Sequence, residues 1–122
     1  MTNPFRGELE IELNNKTYKT RMTVDSCMKV ETTTGQSLMR TLTQLVDGSI
    51  TMSDMCKLMH PALRGGGNNV TESEVATIIY EAGVGPSLVV CGQILSNVVQ
   101  GPKKDGEEEG EDSGKKIEEA PE

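Results

Sequence analysis

The apolar pattern that could build a core stops abruptly in this sequence at Gly101. Pro102, repeated Gly and a run of Glu follow, and residues 103–122 carry nine acidic residues against four Lys. A segment this polar buries too little apolar surface to offset the entropy of ordering it. We therefore expect residues 1–100 to form one compact domain. We expect residues 101–122 to be a disordered acidic tail.

The core of the predicted domain must be aliphatic. Phe5, Tyr18 and Tyr80 are the only aromatic residues in the sequence, which also contains seven Met. Methionine has a flexible and polarizable side chain, so it fills irregular cores and also suits adaptable contacts with other polypeptides. The sequence leaves both explanations of the methionines open.

Charge and cysteine content exclude several classes of function. The formal net charge is −7, of which the tail holds −5, so the body is close to neutral. Without a basic stripe, neither nucleic acid nor an anionic membrane surface is an expected partner. The three widely spaced Cys indicate reduced thiols, and the sequence has no secretion signal and no apolar run that could span a membrane. A cytoplasmic location is predicted.

The N-terminal part of the sequence predicts a β-hairpin. Leu9, Ile11 and Leu13 alternate with Glu, which is the period of a half-buried strand. Residues 14–16 form a turn signal, because Asn tolerates positive φ. A second strand is expected from Thr17 to Thr23. A lone hairpin is marginal in water, so its apolar face must pack on other elements.

About five short helices are predicted to follow the hairpin. Gly35 is expected to end the first helix, on whose apolar face we place Val24, Cys27 and Met28. Ser37 is expected to cap the second helix, which we predict to turn Leu38, Leu42, Leu45 and Val46 to one side.

The remaining three helices carry equally local signals. The third helix is expected to kink or end near His60, because Pro61 follows. Residues 71–74 form a capping box that starts the fourth helix, which Gly83 ends. The fifth helix is predicted at about residues 86–100. The fold class is therefore α+β, with an N-terminal β-hairpin packed on a bundle of about five short helices.

No constellation in the sequence supports catalysis, a cofactor or a metal site. Residues 64–69, Arg-Gly-Gly-Gly-Asn-Asn, predict a flexible loop and lack the Lys and Ser or Thr of a phosphate-binding loop. Cys56 and His60 are four residues apart, but a zinc site needs about four ligands and a nucleophile needs an oriented base. We predict a non-enzymatic binding protein.

The fifth helix carries more apolar residues than one core contact needs. They span about half of the helix circumference at 100° per residue. Such a helix is either well buried or serves both the core and a partner. We predict a partner-binding surface built by residues of the fifth and third helices: Leu88, Val90, Ile94, Val98 and Val99, with Met55 and Met59 as lesser candidates.

Several short motifs occur in an order that resembles a known family. The motifs are Asn-Pro-Phe-Arg-Gly-Glu at residues 3–8, Gly-Gln-Ser-Leu at 35–38, Ala-Leu-Arg-Gly-Gly-Gly at 62–67, Thr-Glu-Ser-Glu-Val at 71–75 and Glu-Ala-Gly at 81–83. The last apolar helix follows them. The resemblance is to small proteins encoded beside the tail tube gene in gene transfer agents and related tailed phages. These are classed as tail assembly chaperones, although some are called tail tube proteins. The resemblance covers about residues 3–100. The acidic tail departs from the pattern of the family.

The resemblance implies a tail assembly chaperone. Such a chaperone binds the tape-measure protein, helps to recruit tail tube subunits and is absent from the finished particle. The alternative is a structural tail component, a tube or terminator subunit that stays in the particle. Tube subunits of this kind are usually rich in β-sheet, whereas this sequence predicts one hairpin. Self-association is left open.

Overall fold

The computed structural model describes residues 7–100. Residues 101–122, which were predicted to be disordered, lie outside the described part. So do residues 3–6, which begin the first motif. The elements in chain order are β1 (Glu8–Leu13), β2 (Lys16–Arg21), α1 (Val24–Thr34), α2 (Leu38–Asp47), α3 (Met52–Gly65), α4 (Glu72–Ala82) and α5 (Val84–Val99). The α+β class, with a hairpin followed by five helices, is confirmed.

The two strands form an antiparallel hairpin around a two-residue turn. Asn14 and Asn15 adopt φ values of 55° and 64°, which Asn tolerates better than most residues. Ile11 lies opposite Tyr18, and Leu13 lies opposite Lys16. The side chains of Ile11 and Leu13 are buried, so the alternation seen in the sequence sets the face that meets the helices.

Local signals set most helix boundaries. The side-chain oxygens of Thr23, Ser37 and Thr51 each accept a hydrogen bond from a backbone N–H of the first turn of the helix that follows. The α4 helix begins with the complete capping box between Thr71 and Glu74. The φ of Gly35 is 72°, which closes α1 in the left-handed conformation that glycine adopts at little cost.

Pro61 does not end α3, although an end there was one of the two outcomes predicted from the sequence. The helix continues through it to Gly65. Proline removes one backbone hydrogen bond in a helix interior and costs about 3 kcal/mol. The same helix buries a set of side chains whose packing offsets that cost: Met55, Leu58, Met59, Ala62 and Leu63.

The Gly-rich segment is a packing element and not the flexible loop that was predicted. Gly65 belongs to α3, and Gly66 caps it. A Cβ atom at either position would overlap a backbone carbonyl oxygen of β2, that of Arg21 for Gly65 and that of Lys19 for Gly66. The Asn68 amide also donates to the Lys19 carbonyl oxygen at 2.7 Å. The glycines therefore allow α3 to lie directly against the outer edge of β2.

The α1 helix faces the core with a different side from the one predicted. Val24 and Met28 are exposed, whereas Ser26 and Val30 are buried and Cys27 is half-buried. The burial of Ser26 is compatible with its polarity because its hydroxyl lies 2.9 Å from that of Thr23. The capped first turn therefore sets which side of this helix is buried.

The α3 helix is the centre of the domain. It packs against α1, α4, α5 and β2, while α5 packs against α2 and β1. The core is aliphatic and thioether-rich, as the scarcity of aromatic residues predicted. In the range 7–100, no single helix is long and apolar enough to cross a membrane. The α4–α5 pair meets that criterion only jointly and is bent by 119°.

Candidate functional site

An open groove lies between α2 and α5. Its volume is about 470 Å³, and its walls are formed by Leu42, Leu45 and Val46 of α2 and by Leu88, Val89, Gly92, Gln93 and Ser96 of α5. None of these side chains is charged. Apolar clefts with a few polar groups are the usual form of binding sites in proteins.

A polar network fixes α2 beside α1. The Gln36 side-chain amide donates to Thr41 Oγ1 at 3.0 Å and to Gln44 Oε1 at 2.8 Å. The Glu31 carboxylate accepts the Leu38 backbone N–H at 3.0 Å, which satisfies a donor in the first turn of α2. One wall of the groove is therefore held by hydrogen bonds as well as by packing.

The other wall is positioned by the sharp turn from α4 into α5. Gly83 has a φ of 100°, a conformation that favours glycine. Ser87 is fully buried in the first part of α5, and its Oγ lies 3.5 Å from the Ile79 carbonyl oxygen of α4. The turn and this buried contact set the direction in which α5 leaves α4.

The rims of the groove are apolar side chains in contact with water. Val46 is 80% exposed and Val89 is 60% exposed, while Leu42 and Leu88 are half-buried below them. Burying apolar surface is worth about 25 cal/mol per Å², so covering these side chains would be favourable. The chemistry of the groove suits an apolar segment of another polypeptide.

The structure separates the partner-binding residues that were predicted from sequence into two groups. Met55, Met59 and Ile94 are at most 1% exposed and Val90 is nearly buried, so these four lie in the core and not on an accessible surface. Their apolar character serves folding. Leu88, Val98 and Val99 are half-buried. Leu88 lines the groove, and a partner role for these three residues stays a prediction.

Two side chains that define the groove were missed by the sequence analysis. Val46 was placed on the same side of α2 as Leu38, Leu42 and Leu45. Val89 was not included among the apolar residues of α5 chosen for a partner. Periodicity places residues on a helix but does not say which side meets the core. A usable signal was the width of the α5 stripe, since three consecutive residues, Leu88, Val89 and Val90, cannot all point inward.

A second pocket, of about 400 Å³, lies between the hairpin and α4. Lys16, Tyr18, Ser73 and Glu74 are among its lining residues. The Glu74 carboxylate already accepts the Thr71 backbone N–H at 2.8 Å in the capping box. The polar groups of this pocket are therefore partly engaged in local structure, which favours the α2–α5 groove as the candidate site.

The residues considered for catalysis or metal binding are placed in structural roles. His60 Nε2 lies 3.1 Å from the Val70 carbonyl oxygen. Burial, assisted by the negative charge of Glu72, raises the pKa of the Cys56 thiol. Among residues 7–100, no three His, Cys, Asp or Glu side chains are grouped so that they could hold a metal ion.

Cys91 gives a prediction about alkaline stability. Burial, and to a lesser extent the neighbouring Cys56, raises the pKa of its thiol from 9.0 to about 12. The unfolded chain releases this proton above pH 9 and the folded chain retains it, so folding stability falls between pH 9 and about 12 by up to about 1.4 kcal/mol per pH unit.

The measurement is urea denaturation of the wild type and Cys91→Ala at pH 8 and pH 10.5. Other groups titrate in the same range, so the loss is read as the difference between the two proteins. We expect the wild type to lose more stability than the variant. Equal losses would contradict the burial of this thiol.

Comparison with protein-family models gives a match. The family model described as "Phage tail tube protein, GTA-gp10" matches residues 6–101, which include both walls of the groove and the whole described domain. No curated protein and no solved structure matches the sequence. Because the match covers most of the chain, this protein belongs to the phage tail tube protein family of the GTA-gp10 type and is a tail-related protein.

Proposed function

We propose that this protein takes part in the formation of a phage-type tail by binding an apolar segment of another tail polypeptide in the α2–α5 groove. The observation that carries the proposal is the uncharged groove with Val46 and Val89 exposed on its rims. The role is one of binding and not of catalysis. Tail polypeptides are made in the cytoplasm, so we place the interaction there.

The first candidate role is a structural component of the tail. The family description, "Phage tail tube protein, GTA-gp10", favours it, because it names a component of the tail tube. In this role the groove would hold a neighbouring subunit permanently. The exposed apolar rims suit a permanent contact, since long-lived interfaces are more apolar than transient ones.

The second candidate role is an assembly chaperone that binds the tape-measure protein and tail tube subunits and then leaves. The helical character of residues 8–99, with one two-stranded sheet in the described part, favours it over a subunit that pairs through extensive sheets. An open apolar groove suits the apolar helices of a long tape-measure protein. The acidic tail would keep such a complex soluble.

The groove is tested by a double charge variant, Val46→Lys with Val89→Lys. Both side chains are exposed, so we expect the stability to change by no more than about 1 kcal/mol. Tagged wild-type protein, isolated from cells that produce tails, should capture tail polypeptides. The tagged variant should lose most of this capture, because the complex would bury the two Lys side chains, which is strongly unfavourable. The matched control is Val24→Lys, which places the same charge on α1 at a valine that is 76% exposed.

A second variant fills the groove without charge. Gly92 belongs to the α5 wall, and apart from its own helix backbone no heavy atom lies within 4 Å of the position of a Cβ there, so Gly92→Leu should fold and occupy the space of the partner. Gly85→Leu adds the same bulk to α5 outside the groove lining, where space is also free. Full capture of tail polypeptides by both groove variants would overturn the proposed site.

Purified particles separate the two candidate roles. A structural component is present in them at a constant ratio to the major tube subunit, measured by quantitative mass spectrometry. A chaperone is absent from particles but present in complexes isolated during assembly. Absence from both would overturn a role in tail formation altogether.

A further inference from the structure

The hairpin has one blocked edge and one open edge. The N–H of Met22 donates to the Gly7 carbonyl oxygen at 3.2 Å, and the pairing register continues from there. In an antiparallel pair, the residues that exchange ladder bonds alternate with residues whose backbone groups point outward. The outward positions are therefore Thr17, Lys19 and Arg21 on β2, and Glu8, Glu10 and Glu12 on β1. Because Glu8 is buried, the accessible positions on β1 are Glu10 and Glu12.

The outward edge of β2 is covered by the end of α3 and the residues that follow it. Gly65 and Gly66 lie against its carbonyl oxygens, and the Asn68 amide donates to one of them, that of Lys19. On β1, no hydrogen bond from the described residues reaches the backbone of Glu10 or Glu12 outside the hairpin ladder, and the sheet has two strands. The β1 edge thus presents donors and acceptors that an added strand could use.

The side chains on this edge select the type of strand. Glu10 and Glu12 are exposed, point to the same face and have no ion-pair partner among residues 7–100. Pairing β1 with a second copy of β1 would place Glu beside Glu in either direction, and like charges opposite each other destabilise a sheet. A strand with Lys or Arg at alternate positions would instead form cross-strand ion pairs.

The opposite face of β1 restricts the other side chains of the added strand. Leu9, Ile11 and Leu13 point toward the core on that face, and Ile11 and Leu13 are buried. A strand beside them extends this apolar face, so its alternate residues should be apolar. We propose that the β1 edge binds a partner polypeptide strand in which basic and apolar residues alternate, by strand addition. This surface is separate from the α2–α5 groove.

The probe is a capped, fluorescently labelled peptide of about seven residues in which Val and Lys alternate, matching a typical strand length. We expect it to bind the full chain in an anisotropy titration, more weakly as salt is raised. Hydrogen exchange at the Glu10 and Glu12 amides should slow in the complex. The same peptide with Glu in place of Lys is the charge control and should not bind.

Two variants separate backbone pairing from simple charge attraction. Glu10→Pro removes one outward N–H, a change tolerated at a solvent-facing strand edge, and should weaken peptide binding by about tenfold. Glu10→Lys with Glu12→Lys should lose the Lys peptide and gain the Glu peptide. Glu81→Lys, on the exposed side of α4, is the control for charge alone.

Two results would overturn the proposal. Unchanged binding to Glu10→Pro would mean that the peptide adheres by charge without pairing. Amides of Glu10 and Glu12 that are already protected in the free protein would mean that the edge is covered by another segment of this chain or, if dilution removes the protection, by a second copy.

Discussion

Replacing Gly66 with alanine is expected to lower the free energy of unfolding by about 3 kcal/mol, on the scale of a core overpacking change. The φ of Gly66 is −85°, so alanine meets no backbone strain there. Its Cβ would instead overlap the carbonyl oxygen of Lys19 and come within 2.9 Å of the Thr20 Cα. Backbone atoms cannot rotate away, so α3 and the hairpin must move apart.

The measurement is urea denaturation followed by circular dichroism, with Gly92→Ala as the control. Gly92 is also helical, but its Cβ position is open, so alanine there should raise stability by about 0.5–1 kcal/mol through helix propensity. The two identical substitutions are therefore expected to have opposite signs. A Gly66→Ala variant as stable as the wild type would contradict the close contact between α3 and β2.

Two methionines test where the thioether side chains act. Met59 is fully buried in α3, and Met59→Ala is expected to cost about 3 kcal/mol through lost burial and the cavity that remains. Met39 is 57% exposed on α2, and Met39→Ala should change stability by less than about 0.5 kcal/mol. Thermal and urea unfolding of both variants give the comparison.

The two variants also show whether Met59 serves folding or partner binding. A core residue lowers stability when truncated, whereas a residue that serves only a partner contact leaves the isolated protein unchanged. If Met59→Ala unfolds like the wild type, the placement of α3 at the centre of the domain is wrong. Should both variants be destabilised equally, exposure would not be the property that separates them.

Features set by neighbouring residues were predictable from the sequence. The hairpin turn at Asn14 and Asn15, the cap at Ser37 and the capping box at Thr71 depend on contacts within four residues, and the structure has each of them. The α+β class follows from the same signals. Helix ends and turns are local equilibria, so local sequence contains most of the information needed.

Features set by distant contacts were not predictable. Pro61 remains inside α3 because the helix buries a large apolar face, which the local rule for proline does not consider. Gly65 and Gly66 read as a loop because glycine is common in loops, while their actual role depends on β2, more than 40 residues earlier. The sequence shows that glycine is present but not which backbone approaches it.

The candidate site was predicted in part. The apolar width of α5 indicated that this helix could serve more than the core, and α5 does leave Val89 exposed. The residues chosen then were mostly core residues, because the strongest apolar positions of a helix are the ones that a fold buries first. The α2 wall was not found, since pairing of two helices is a tertiary property.

The contact between β1 and α5 joins the first described element to the last, and this has a consequence for synthesis on the ribosome. The apolar face of the hairpin is made before the helices, and part of its cover is the final helix of the domain. At about 5–20 residues per second, the nascent chain waits for several seconds before that helix exists. The domain therefore completes its fold only after α5 has been made, and until then Ile11 and Leu13 are available to any cellular factor that recognises unfolded chains.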